Sequence, residues 1–153
     1  MEIKKVTPFL WFNTEAQEAA KLYCSIFKNS RIISTNPMTT TFDLDGQRLM
    51  AGNFGPQFTF NEATSFFVNC EDQDEVDYFW ARLTENGGQE GRCGWLKDKF
   101  GLSWQIVPDA FMKLAGDADR SKSQRVMTAM LKMNKMDIAK LQEAYDGKVD
   151  EGR

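Results

Sequence analysis

Histidine does not occur in the 153-residue chain. With no imidazole, neither a Ser-His-Asp nor a Cys-His nucleophile pair can be built, and the commonest transition-metal ligand is missing. Many hydrolase and metalloenzyme chemistries fall at once. Cysteine is scarce and odd in number: Cys24, Cys70 and Cys93 have no C-x-x-C spacing. That argues against a disulfide framework or a structural zinc and leaves Cys24 and Cys70 as reduced thiols in or near the core. No two of the eleven glycines are separated by a single residue, so the G-x-G-x-x-G turn that lets a backbone approach a dinucleotide is absent. No apolar run approaches the roughly 20 residues of a membrane span, and the opening MEIKKVTPFLWF lacks the small-residue cleavage site of a signal peptide; a cytoplasmic protein is expected. A net charge of −3 offers no general attraction to phosphate backbones or anionic lipid, so neither nucleic acid nor membrane is an expected partner. What is present, 42% hydrophobic and 27% charged residues, suits one ordinary domain over 1–153.

The chain repeats itself. Placing Thr7 on Thr64 superposes Phe9 on Phe66, Glu18 on Glu75, Leu22 on Phe79, Tyr23 on Trp80 and Ile26 on Leu83. Each copy opens with about five apolar residues, as a buried strand does, and then changes to helical spacing. Thr14 and Gln17 read as a capping box ahead of Ala19, Leu22, Tyr23 and Ile26; Asp72 and Glu75 read as another ahead of Val76, Phe79, Trp80 and Leu83, with Asn86-Gly87 as the stop. Strand-like pieces follow each helix: 31–35, 38–44 and 47–53 in the first copy, the last two joined by Asp45-Gly46 as a hairpin, and 89–93, 94–97 and 102–107 in the second, with a turn at Phe100-Gly101.

Each copy therefore reads as a β-α-β-β-β module, the first at about 5–55 and the second at about 62–108. One such module cannot cover both faces of its sheet. The expected fold is α+β, two modules making a curved eight-stranded mixed sheet, helices on one side and a cup on the other. A helical extension at about 109–146 follows. Ser121 and Gln124 read as a capping box there, Val126, Met127, Met130, Leu131 and Met133 as one apolar stripe, and Ile138, Leu141, Ala144 and Tyr145 as a second. These stripes are expected to pack against the sheet or a second subunit. The polar tail, 146–153, is expected to fray.

The paired modules resemble the vicinal oxygen chelate superfamily, which includes glyoxalase I, extradiol dioxygenases and fosfomycin-resistance proteins. TPFLWF at 7–12, residues 15–27 with Asn29-Ser30-Arg31, FDLDGQRLM at 42–50 and GRCGWLKDKFGLSWQIVP at 91–108 look more specifically like its PhnB-like branch. Members of that branch often carry the name 3-demethylubiquinone-9 3-methyltransferase. The superfamily's metal ligands, usually His and Glu, carry over by motif to Pro8, Met50, Ser65 and Gln105. A proline without a donor, a soft thioether, a hydroxyl and a neutral amide make a weak set for a divalent ion, so neither a metal nor a cofactor is expected. The methyltransferase name has no methyl-donor motif to support it.

Strand alternation makes the cup concrete. If Gln105 points inward, Ser103 and Val107 do too, leaving Trp104 and Ile106 toward the helices; Ser65 brings Phe67 and Asn69, Met50 brings Arg48 and Gly52, and Pro8 brings Leu10 and Phe12. With Cys93 and Trp95 from the motif-rich stretch, the candidate ligand-binding residues are Leu10, Phe12, Arg48, Met50, Ser65, Phe67, Asn69, Cys93, Trp95, Ser103 and Gln105. An apolar, aromatic lining with few polar groups is the composition of a small-ligand site. Arg48 could hold a carboxylate or phosphate bidentately, or be a hairpin arginine with its charge in solvent. Cys93 beside Arg92 is either a favoured thiolate or a packed thiol, Trp95 and Trp104 are core or stacking platforms, and Lys97 and Asp98 need no role beyond the turn. Two functions follow as expectations: a metal-free binder of a small, partly aromatic or acidic molecule, a homodimer as the resemblance implies, or an enzyme acting on such a molecule.

Overall fold

The computed structural model of the chain describes residues 3–148. It divides into two compact units between Phe60 and Asn61. The first holds β1 (Phe9–Phe12), α1 (Ala16–Ile26), β2 (Arg31–Thr35), β3 (Thr39–Leu44) and β4 (Gln47–Asn53), in a four-stranded sheet of order β1-β4-β3-β2. β1 runs parallel to β4, and the other pairs are antiparallel. The second holds β5 (Ser65–Cys70), α2 (Gln73–Thr84), β6 (Gln89–Glu90), β7 (Trp95–Lys97) and β8 (Ser103–Pro108), in the same order, β5-β8-β7-β6. Three helices follow, α3 (Asp109–Ala115), α4 (Arg120–Met130) and α5 (Ile138–Tyr145). This is the α+β architecture read from the repeat, although the hydrogen-bonded ladders form two open four-stranded sheets in place of one of eight.

In the first unit, Ala16, Ala19, Ala20 and Tyr23 form the buried stripe of α1; the alanines let the helix lie close, and Tyr23 packs its ring on Phe42 of β3. Asp45 and Gly46 both adopt positive φ in a two-residue turn that closes Leu44 on Gln47, as a type I′ hairpin requires. The expected Thr14–Gln17 capping box does not form. Glu15 is the N-cap, without a side-chain cap bond, and the Ala16 N–H instead donates to Asn53 Oδ1 at the end of β4.

In the second unit Asp72 caps α2 by accepting from the Glu75 N–H, while Glu75 accepts from the Glu71 N–H, one residue earlier than a strict capping box. Asn86 and Gly87 end that helix with left-handed backbone. Val76, Trp80, Leu83, Leu96, Leu102, Trp104 and Ile106 are buried. The Cys70 thiol is enclosed with them, and burial, reinforced by Glu75, pushes its pKa up to about 12. Such a thiol stays protonated and inert. The strand expected over 89–93 stops at Glu90 because the Gly91 N–H turns back to the Trp95 carbonyl and Cys93 takes φ +60°.

The extension has its own core of Val107, Val126, Met130, Met136 and Leu141. α4 begins two residues earlier than expected, capped by Asp119 accepting from the Lys122 N–H in place of the Ser121–Gln124 box. Met127 and Leu131 of the expected stripe are exposed. Arg125 donates to the carbonyls of Ala144 and Tyr145, satisfying the last turn of α5. The Gln73 side chain, at the start of α2, donates to the Met136 carbonyl and accepts from the Ile138 N–H. Residues 146–148 hydrogen-bond back onto α5; the rest of the tail expected to fray lies outside the described residues. No helix among the described residues is long and apolar enough to cross a membrane.

Candidate functional site

Each sheet has one face under its helix and one opposite. On β1 and β4 the pairing is Phe9 with Met50, Leu10 with Ala51, Trp11 with Gly52 and Phe12 with Asn53. Directly paired residues share a face, so Met50 stands with Phe9 and Trp11. Leu10 and Phe12 belong to the other row, buried beneath α1 with Ala51 and Leu49. The expectation that Leu10 and Phe12 accompany Met50 is thus corrected by one residue of register. Gly52 is the floor of an aromatic cluster on the Met50 face. A Cβ there would come within 2.5 Å of Phe54 and 2.9 Å of Phe9. Phe9 stacks on Phe54, and Trp11 meets Phe54 and Phe58 edge-on, with the Trp11 indole N–H donating to the Gly55 carbonyl. Phe9, Phe54 and Phe58 all retain large exposed surfaces.

Arg48 is on this face, and its fork is engaged. Nε lies 2.5 Å from Asp43 Oδ1 and Nη2 3.3 Å from Oδ2, with both side chains more than four-fifths buried. It is neither the solvent-borne hairpin arginine nor an open anion clamp. The Arg48 hydrogen bond holds the Asp43 carboxyl below the usual carboxylate range. A depressed carboxylate stabilises the fold above its unfolded pKa, near 4, and loses that contribution as the pH falls through its folded value. Asp43→Asn is therefore expected to cost about 1 kcal/mol at neutral pH, and the deficit should shrink progressively as the pH falls below about 4 and through the lower folded value. Urea melts of the two proteins at several pH values measure it; a deficit that persists unchanged in acid would contradict the pairing.

In the second unit, Ser65 pairs with Ser103, Phe67 with Gln105 and Asn69 with Val107, and β7 adds Lys97 opposite Ser103 and Trp95 opposite Gln105. Alternation therefore brings six expected residues onto one face: Ser65, Phe67, Asn69, Trp95, Ser103 and Gln105. Trp104 and Ile106 are buried on the α2 side as expected, whereas Val107 is enclosed by the helical extension. Gln105 Nε2 donates to Ser65 Oγ at 3.0 Å. Phe67 is 51% exposed, and Trp95 is partly so. Cys93 is not on this face. Its N–H donates to the Met133 carbonyl, and the residue packs against the core of the extension, so it is a packed thiol.

Sequence reasoning gave Asp98 no more than a turn, and the structure gives it a larger part. The carboxylate is 2% exposed and accepts from the N–H groups of Phe100 and Leu102 and from the Trp104 indole. With Gly101 at positive φ donating its N–H to the Asp98 carbonyl, Asp98, Gly101 and Trp104 are one device that sets the β7–β8 turn and the position of β8. Lys97, also read as a turn residue, lies on the open face and forms an ion pair with Glu62.

The four positions to which the resemblance carries the metal ligands can be tested as donors. Pro8 offers only its carbonyl, which accepts from the Met50 N–H. Ser65 and Gln105 bond to each other as neutral groups. Among the described residues no three Cys, Asp or Glu side chains are grouped to hold an ion. This donor set does not fit a divalent metal.

Comparison with known proteins places this geometry. The PhnB protein of Bacillus cereus is 32% identical, with a TM-score of 0.63 over 69% of this chain and 99% of that one. At 16% and 15% identity, a glyoxalase-related enzyme from Fulvimarina pelagi and the fosfomycin resistance protein FosX of Listeria monocytogenes, solved with Mn(II) and sulfate, share the fold. Both have TM-scores of 0.50, over 69% and 68% of this chain and 89% and 88% of theirs. No curated protein matches. The 3-demethylubiquinone-9 3-methyltransferase family model matches residues 4–107, and the chain belongs to that family, within the glyoxalase-like fold.

Proposed function

We propose that this chain is a metal-independent small-molecule binding protein of the glyoxalase-like superfamily. The carrying observation is the Ser65–Gln105 hydrogen bond, two neutral groups bonded to each other on an open sheet face that also bears Phe67 and Trp95. Aromatic surface with a few convergent polar groups suits a small organic ligand better than an ion. The ligand residues on this reading are Ser65, Phe67, Asn69, Trp95, Ser103 and Gln105. The exposed aromatics Phe9, Phe54 and Phe58 support pairing of two copies as a homodimer, since apolar surface of this kind gains from burial.

A second reading has one observation in its favour, the family match over residues 4–107: an enzyme of the superfamily, such as the methyltransferase of the family name. Native mass spectrometry with and without Ni²⁺, Zn²⁺, Mn²⁺ and S-adenosylmethionine separates the two. The binding-protein reading expects a dimer mass, no stoichiometric metal and no saturable adduct of the methyl donor. Metal retained with better than micromolar affinity would overturn metal independence, and saturable S-adenosylmethionine would favour the enzyme.

A further inference from the structure

Ser65, Ser103 and Lys97 stand side by side across β5, β8 and β7. Neighbouring strands are about 4.8 Å apart, so Lys97 lies about 10 Å from the Ser65 position. Its ammonium nevertheless reaches the carboxylate of Glu62, three residues before Ser65. The ion pair therefore ties β7 to the segment just before β5, the two strands that flank Ser103 on β8. Ser103 is 1% exposed, and its hydroxyl has no hydrogen-bond partner. Buried hydroxyls are nearly always satisfied, because leaving one unmet costs its full desolvation.

The donors on this row exceed the acceptors. Gln105 donates into Ser65 Oγ, which leaves the Ser65 proton to point elsewhere; Ser103 has its own proton, and Lys97 has an ammonium with three. An ionised carboxylate, acceptor-only, complements that set. The chain already presents one to Lys97, in the form of Glu62. In the adjacent row Phe67 and Trp95 flank Gln105, an aromatic platform for the body of the same molecule.

We propose that the open face of the second sheet binds a small aromatic monocarboxylate, whose carboxylate displaces Glu62 from Lys97 and accepts a hydrogen bond from the Ser103 hydroxyl. The inference rests on the small-molecule reading above and names its ligand class. The Lys97–Glu62 pair acts as a strap that exchanges its internal carboxylate for the external one.

Calorimetric titration of the full chain with benzoate and with benzamide tests it. Benzoate is expected to bind saturably and benzamide not to. Glu62→Gln, a change at an exposed side chain, should tighten benzoate severalfold by removing the internal competitor. Lys97→Met should weaken it by roughly tenfold or more, as loss of a hydrogen bond to a charged group does. Ser103→Ala should weaken it while leaving the melting temperature unchanged or higher, since the unsatisfied hydroxyl is gone. Equal binding of benzamide and benzoate, or a Glu62→Gln affinity that is unchanged or weaker, overturns the carboxylate assignment while the small-molecule reading stands. Failure of both probes on both the wild type and Glu62→Gln overturns the assignment together with this face as a site.

Discussion

Replacing Asp98 by alanine is expected to lower stability by about 3–5 kcal/mol, the range for removing one partner of a buried charged network. The variant would leave the Phe100 and Leu102 N–H groups and the Trp104 indole without their acceptor. Water cannot easily replace it at a site only 2% exposed. Asn at the same position keeps one carbonyl oxygen, so Asp98→Asn should recover part of the loss. Guanidinium unfolding measures both, read as a fall in midpoint at unchanged slope. An alanine variant within about 0.5 kcal/mol of wild type, the level of an ordinary surface change, would show that the turn holds without the carboxylate.

Gly94→Ala is expected to cost about 2–5 kcal/mol, from two separate sources. The backbone is left-handed there, with φ +82°, which charges an L side chain about 1–2 kcal/mol. A Cβ would also lie 2.9 Å from Met136 Cε and 3.0 Å from the Ile106 carbonyl oxygen, and overpacking of this kind adds about 1–3 kcal/mol. The Met136 contact is a flexible side-chain end and can yield, whereas the Ile106 carbonyl accepts no such move, since it sits in β8. Met136→Ala should therefore cost less in the Gly94→Ala background than alone, a coupling that a double-mutant cycle reads directly. Full additivity would mean that the two residues do not press on each other.

Much of the architecture was legible because local signals agreed with the global fold. β2 and β4 fall on the residues that the apolar runs predicted, and Asp45-Gly46 fixes the β3–β4 hairpin without help from elsewhere. The errors occur where an acceptor or a phase comes from a distant residue. The acceptor at the start of α1 is supplied by Asn53, thirty-seven positions away in sequence, and no local pattern announces it. PFLWF, residues 8–12, is apolar throughout, so it carries no alternation from which to take a phase, and anchoring it at Pro8 put Leu10 and Phe12 on the wrong row. The Arg48–Asp43 pair was available by counting outward from the two-residue turn, Leu44 with Gln47 and then Asp43 with Arg48. Asp98 was hidden by its setting: an aspartate two residues before Phe100 and three before a glycine reads as a turn former, and only the placement of the Trp104 indole reveals it as an anchor. Cys93 was misjudged in its surroundings because residues 131–136, which it packs beside, are remote in sequence.

The four indoles are unequally distributed. Trp11, pinned by the Gly55 carbonyl between two phenylalanine edges, is the sole tryptophan preceding the boundary at Phe60, while Trp80, Trp95 and Trp104 follow it. Emission from a chain that retains Trp11 alone would therefore follow the melting of the first unit by itself, giving an optical account of whether the two halves of this repeat come apart together or in turn.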